Sequence, residues 1–187
     1  DTINIQYDKD ESEPSAISDI VIKANADASA AEVDPTTQTR WLNTAKPYIS
    51  WSEATDEGGL GVYGYCIYLG PDESFDFKTS EGYLPDQSPI NTNGQCRYAI
   101  SANDISMMDV ITSSAPDDGT DIYFAVKAFD QALNMGPTNS IDYVLDTEEP
   151  GIGTLFSGPV EYVSSKAIKI SWISEPSLGI GIGDELS

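Results

Sequence analysis

Asp121-Ile-Tyr-Phe-Ala-Val-Lys-Ala-Phe-Asp130 is the stretch whose reading decides the fold. Ile122, Phe124, Val126 and Ala128 alternate with Tyr123, Ala125 and Lys127, the period of two expected of a strand with one buried face. Turn-forming residues bound it on both sides: Asp117-Asp-Gly-Thr120 before, Gln131-Ala-Leu-Asn-Met-Gly-Pro137 after. A central strand is therefore expected here, with the other apolar segments as its partners.

Working outward, strands are expected over 17–23, 47–52, 62–69, 95–100 and 140–145. Trp51 is the heaviest core candidate, and Asp56-Glu-Gly-Gly59 forms the turn into the third strand. The connection from Gly70 to Gly94 carries Pro71, Pro85 and Pro89, which exclude regular structure. Residues 103–110 read as a short helix capped by Asn103, with Ile105, Met108 and Ile111 inward. About seven short strands separated by turn signals indicate an all-β sandwich.

Two echoes extend beyond this unit. Ile3-Asn-Ile-Gln-Tyr7 runs into Asp8-Lys-Asp-Glu-Ser-Glu-Pro14, as Ile141-Asp-Tyr-Val-Leu145 runs into Asp146-Thr-Glu-Glu-Pro150. Likewise Ile49-Ser-Trp51 and Ile170-Ser-Trp172 each precede an acidic, Gly-containing segment. The first copy is longer between its proline and its tryptophan, and Ala24-Asn-Ala-Asp-Ala-Ser-Ala-Ala31 reads as an insertion. Repetition of this kind implies similar modules in series. The expected division is a last strand and acidic linker of a preceding module over 1–14, a complete module over 15–146, and a linker with the opening strands of a following module over 147–187. Residues 1–14 also hold a last strand without its module, so a subunit's N-terminal strand completing its neighbour is an alternative to a piece of a longer array.

The charge balance restricts the partners. Nine Lys and Arg stand against 31 Asp and Glu, a formal net charge of -22 over 187 residues. Such a surface repels nucleic acid and anionic lipid, and no apolar run is long enough to span a membrane. Cations are its natural counterpart. Either the acid maintains solubility or suits a salty medium, or some carboxylates converge on Ca2+.

A family resemblance rests on particular residues. Ile49-Ser-Trp51, Val62-Tyr-Gly-Tyr-Cys-Ile-Tyr68 and Phe124-Ala-Val-Lys-Ala-Phe-Asp130 together resemble the fibronectin type III fold. Asp130-Gln-Ala-Leu-Asn134 and Asp146-Thr-Glu-Glu-Pro150 are similar to the Asp-Asn-Ala-Gly-Asn and Asp-Thr-Thr-Ala-Pro signatures of bacterial Ig-like repeats in large secreted surface proteins. The resemblance covers most of 40–150 and implies an Ig-like sandwich with a structural or adhesive role, in contact with neighbouring modules and with cell-surface proteins or glycans. Two positions depart from it. Ile122 stands where the family often has Tyr, and Leu133 stands where the turn usually has Gly.

In such an extracellular module the even pair Cys66 and Cys96 is read first as a disulfide. Closing a loop of about 30 residues contributes roughly 3.6 kcal/mol in the chain-entropy model. If Tyr65, Ile67 and Leu69 face the core, the bridge lies on the outer face and pins the long connection; two buried free thiols are the alternative. Zinc is excluded because there is no His and the two Cys are far apart in sequence. Ca2+ remains open at the linkers, through Asp8, Asp10, Glu11, Glu13 and Asp146, Glu148, Glu149, against a solvated hinge. Asp117, Asp118 and Asp121, with Asp72, Glu73 and Asp76, are lesser candidates. The lack of His also rules out Ser-His-Asp and Cys-His nucleophilic sites within this chain, and no enzyme activity is expected. A glycan-binding accessory module of a secreted enzyme is the rival reading, with Trp41, Tyr63, Tyr68 and Tyr83 as ring faces for sugars.

Overall fold

The computed structural model describes residues 9–27, 32–33, 40–85, 88–106 and 116–148, together with the short pairs 154–155 and 172–173. The described strands are β1 (Val21–Lys23), β2 (Trp41–Leu42), β3 (Tyr48–Ser50), β4 (Val62–Gly70), β5 (Ala99–Ile100), β6 (Asp104–Ser106), β7 (Asp121–Asp130), β8 (Asn139–Leu145), β9 (Thr154–Leu155) and β10 (Trp172–Ile173). No helix occurs among the described residues. One sheet has the order β1-β3-β6 and a larger one the order β2-β8-β7-β4-β5, an arrangement consistent with a β-sandwich; β9 and β10 form a separate two-stranded pair.

The central strand is flanked on both sides by long antiparallel partners. Ile122 lies opposite Tyr143 of β8, and Val126 lies opposite Ile67 of β4. β2 joins the far edge in parallel, with Trp41 opposite Val144 and Leu42 opposite Leu145. Asp104–Ser106 extends antiparallel to β3, so the helix expected over 103–110 is not formed at its start. Pairing Ile105 with Ile49 buries both against the core, and this outweighs a local capping preference. Residues 107–111 lie outside the described part.

The core is shared by the two sheets. Ile22, Ile49 and Ile105 of the smaller sheet join Tyr65, Ile67 and Leu69 of β4 and Ile122, Phe124, Val126 and Ala128 of β7 in one cluster. Trp51 anchors it, its ring 5.4 Å from Tyr65 in an edge contact and 5.7 Å from Phe124. Burying one such side chain stabilises by about 1.5–3 kcal/mol relative to leaving it exposed.

The expectation of a single buried face on β7 is too simple. Cys66, Tyr68, Ala125 and Phe129 on the other face are buried as well, beneath Phe75, Phe77 and Cys96 of the 71–98 connection. Tyr68 stacks on Phe75 at 4.5 Å, Phe77 meets Phe75 edge-on, and Lys127 Nζ sits 4.6 Å over the Phe77 ring. The Cys66–Cys96 disulfide, with Cα atoms 5.8 Å apart, pins this cover to β4. A strand covered on both faces reads as a near-continuous apolar run, which is how 121–130 is composed.

Candidate functional site

The residues from Lys9 to Ser15 lead into the sandwich at the end of β7 where Asp130 stands. Asp10 shapes this lead-in: its Oδ1 accepts from Ser12 N at 3.0 Å, an Asx turn, while its Oδ2 accepts from Leu60 N at 2.8 Å. Ser15 N donates to Thr55 O, securing the next turn of chain to the same loop. That loop turns through Gly58 and Gly61, both with φ near +85°, a conformation glycine adopts without steric cost. Its Asp56 closes it, Oδ2 accepting from Gly61 N at 2.8 Å.

Asp130 ends β7 and is 0% exposed. Asn134 holds it, donating from its backbone N–H to Oδ1 at 2.9 Å and from its amide to Oδ2 at 2.7 Å. The same amide donates to the Asp10 carbonyl at 3.1 Å, so one side chain ties the lead-in to the sheet. Leu133 takes the left-handed conformation, φ 67°, which glycine adopts more readily than a branched side chain. The turn geometry is thus kept at a strain of about 1–2 kcal/mol, offset by the bonds on either side of it.

One carboxylate oxygen from each of Asp10, Asp56 and Asp130 lies within 4.8 Å of the other two. Like charges this close repel, and none of the ion pairs among the described residues includes any of the three. Asp56 Oδ1 is shielded from solvent and has no hydrogen-bond partner. An open cleft of about 450 Å³, lined by Lys9, Asp10, Glu11, Ser12 and Gly58–Leu60, adjoins the cluster. The donor set is all oxygen and all anionic, which suits a hard divalent cation rather than zinc or copper.

The other acids expected at the linkers are dispersed. Glu11 pairs with Lys9, and Glu13 and Glu148 are exposed. Asp146 is half-buried, with a shielded Oδ1 that has no partner. Asp8 and Glu149 lie outside the described residues. Asp72 and Asp76 serve turns, accepting from Ser74 N and from Lys78 N respectively. The bond from Lys78 N, with those from Thr79, holds the Asp76 carboxyl below its ordinary range. Asp118 accepts from the backbone and hydroxyl of Thr147, and Asp121 meets Arg40.

Among the four aromatics considered for sugars, Tyr63 alone has an exposed ring, at 44%, set edge-on to Phe129. Trp41 and Tyr83 are half-buried, and Tyr68 is 4% exposed under Phe75, its hydroxyl accepting from Asp72 N.

Asp56 was legible only as a turn residue, beside Glu57 in the acidic segment after Trp51, and Asp130 only as a strand end. The signal for Asp130 is its place: an acid closing the most apolar strand, four residues before an Asn able to hold it. Comparison with protein-family models, with curated proteins and with solved structures finds no match.

Proposed function

We propose that this chain is a non-catalytic structural or adhesive unit of a large extracellular surface protein, fibre or surface layer, built as an Ig-like sandwich of fibronectin type III kind and placed in series with similar units. The observation that carries the reading is the path of the chain. It arrives at the Asp130 end of β7, where Asn134 grips Asp10, and departs at the opposite end, where Thr147 bonds Asp118 ahead of Asp121. Ten strand residues separate the two ends, about 33 Å at 3.3 Å per residue. A unit gripped at both poles passes force and orientation along a series.

Three features support it. β2 and β8 run parallel, joined by Val144 N to Arg40 O and Asp146 N to Leu42 O. Opposite pulls on the chain before β2 and after β8 therefore shear both bonds together instead of opening them in turn. The disulfide closes a loop as secreted domains do. The antiparallel pairing of Leu155 with Trp172 resembles that of β1 with β3, the latter ending just before Trp51, as expected of a repeated unit.

Electron microscopy of the parent protein tests this. Beads spaced by about 40 Å along a thread are expected, a little over one strand length. A compact particle without that period, or turnover of a substrate by the full chain, would overturn the reading.

A further inference from the structure

Two large apolar side chains stand out in water among the described residues, Leu60 at 58% exposure and Tyr63 at 44%. Both lie where β4 begins, at the end of the sandwich that the lead-in reaches. Leu60 is not a loose loop tip. Its N–H donates to Asp10 Oδ2 at 2.8 Å and its carbonyl accepts from Gln131 Nε2 at 3.2 Å, so the side chain is presented at a fixed place. Tyr63 is steadied by its edge contact with Phe129, the ring centres 5.8 Å apart. Neither residue belongs to the core, and the cleft of about 450 Å³ opens between Leu60 and the lead-in.

We propose that Leu60 and Tyr63 are the entry half of a joint, seated against the exit end of the preceding unit, so that consecutive units touch. The inference rests on the reading of units in series. Chain length carries it. Thr147 is still bonded to Asp118 of this unit, and Pro150 is the sequence counterpart of Pro14. Pro14 is buried where the lead-in enters, its carbonyl so close to Gly136 that a Cβ there would lie 2.6 Å from it. A following unit that takes in Pro150 as this one takes in Pro14 leaves three Cα steps between the two anchors, at most about 11 Å. So short a span brings the facing ends together, and a side chain that projects beyond the entry anchor meets the unit before it. Leu60 is placed there, bonded to Asp10 four residues ahead of Pro14.

The exit end offers a matching surface. Trp41, opposite Val144 near the end of β8, and Tyr83, whose N–H donates to Leu69 O near the end of β4, are half-buried rings at that end. A preceding unit of the same kind presents such rings to Leu60 and Tyr63. The tip is also repeated in the sequence: Gly59-Leu-Gly-Val62 follows Trp51, and Gly179-Ile-Gly-Ile182 follows Trp172, each with an apolar residue between two glycines. An exposed Leu is by itself ordinary on a protein surface. One fastened through both of its main-chain groups, at the end where the chain enters, and echoed in the next copy, is placed for a contact.

The test is the labelling rate of a single thiol, Lys9→Cys, which shares the cleft wall with Leu60, in the 187-residue chain and in the parent protein at high dilution. Cys66 and Cys96 are joined and do not label. Lys78→Cys, exposed on the cover over the middle of β4, is the control. Lys9→Cys is expected to label about tenfold more slowly in the parent than in the chain, the occlusion that burial of the exposed part of one Leu side chain sustains. Adding Leu60→Ser restores the faster rate in the parent and leaves the Tm of the chain alone unchanged, as a surface substitution away from the core does. Lys78→Cys labels alike in both. Equal rates for Lys9→Cys in chain and parent, slow labelling that survives Leu60→Ser, or protection that appears only as the parent is concentrated overturns the seated joint. Each of these results, found while the parent shows its beads at the expected period, leaves the series standing; a parent without that period overturns the series and the joint with it.

Discussion

Replacing Asn134 by Ala tests whether the lead-in is truly part of the folded unit. The substitution removes two bonds at once: the one from its amide to Asp130 Oδ2 at 2.7 Å and the one to the Asp10 carbonyl at 3.1 Å. The first is charge-assisted and leaves a buried oxygen without a donor, a loss of about 1.5–3 kcal/mol; the second contributes about 0.5–1.5 kcal/mol. Together they predict a destabilisation of about 3 kcal/mol. A unit of about 130 residues unfolds with an entropy of about 0.27 kcal/mol/K, so Tm falls by about 11 °C. The assay is thermal unfolding in chelator, so that no cation contributes, with amide exchange read at Ser12 and Leu60. Exchange at both speeds up as Asp10 comes free. A loss below about 1 kcal/mol, or unchanged exchange at both amides, would refute the argument that Asn134 couples the linker to the sheet.

Three further outcomes are expected. The Tyr143 hydroxyl is buried without a partner, so Tyr143→Phe stabilises by about 1 kcal/mol in denaturant titrations near neutral pH; destabilisation would mean the hydroxyl is satisfied. Burial also holds the Tyr143 phenol well above its ordinary value of 10.0, so the folded chain keeps a proton that the unfolded chain loses. Its effect is absent below that pH and reduces stability as pH rises through it, by up to about 1.4 kcal/mol per pH unit; Tyr143→Phe should flatten this limb of the stability profile, and an unchanged limb would count against the assignment. Reducing Cys66–Cys96 should cost roughly 3.6 kcal/mol, lowering Tm by about 13 °C, with Phe75 and Phe77 losing their protection before β7 does; a shift under a few degrees would place the cover's stability in its aromatic contacts alone.

The larger elements were legible because each carried an unambiguous physical pattern. The alternation at 122–128 and the turn residues around it mark β7 from the sequence alone, and the position of Cys66 between Tyr65 and Ile67 puts the bridge on the outer face, where the structure has it. What escaped was set by tertiary contact. Trp41 and Leu42 form an edge strand that, among the described residues, pairs with β8 alone, about a hundred residues on, and a two-residue strand has no periodicity to read. Asp104–Ser106 has a helical cap signal, but its Ile105 is claimed by Ile49. Leu133 left the turn uncertain, because no rule of propensity indicates that bonds from its neighbours will hold it at positive φ. At the site Asp10 was visible in an acidic linker. Its partners were hidden because Asp56 and Asp130 meet it only once β3, β4 and β7 are in place.

Pulling the full chain from its two ends in optical tweezers, oxidised and then reduced, tests most directly whether it resists force as the proposed structural unit with a pinned loop. The account predicts one cooperative unfolding event in each state. The bridge hides a loop with a sequence separation of 30, so at 3.3–3.6 Å per residue the released length grows by about 100 Å on reduction. A smooth extension with no cooperative event, or the same released length in both states, would contradict it.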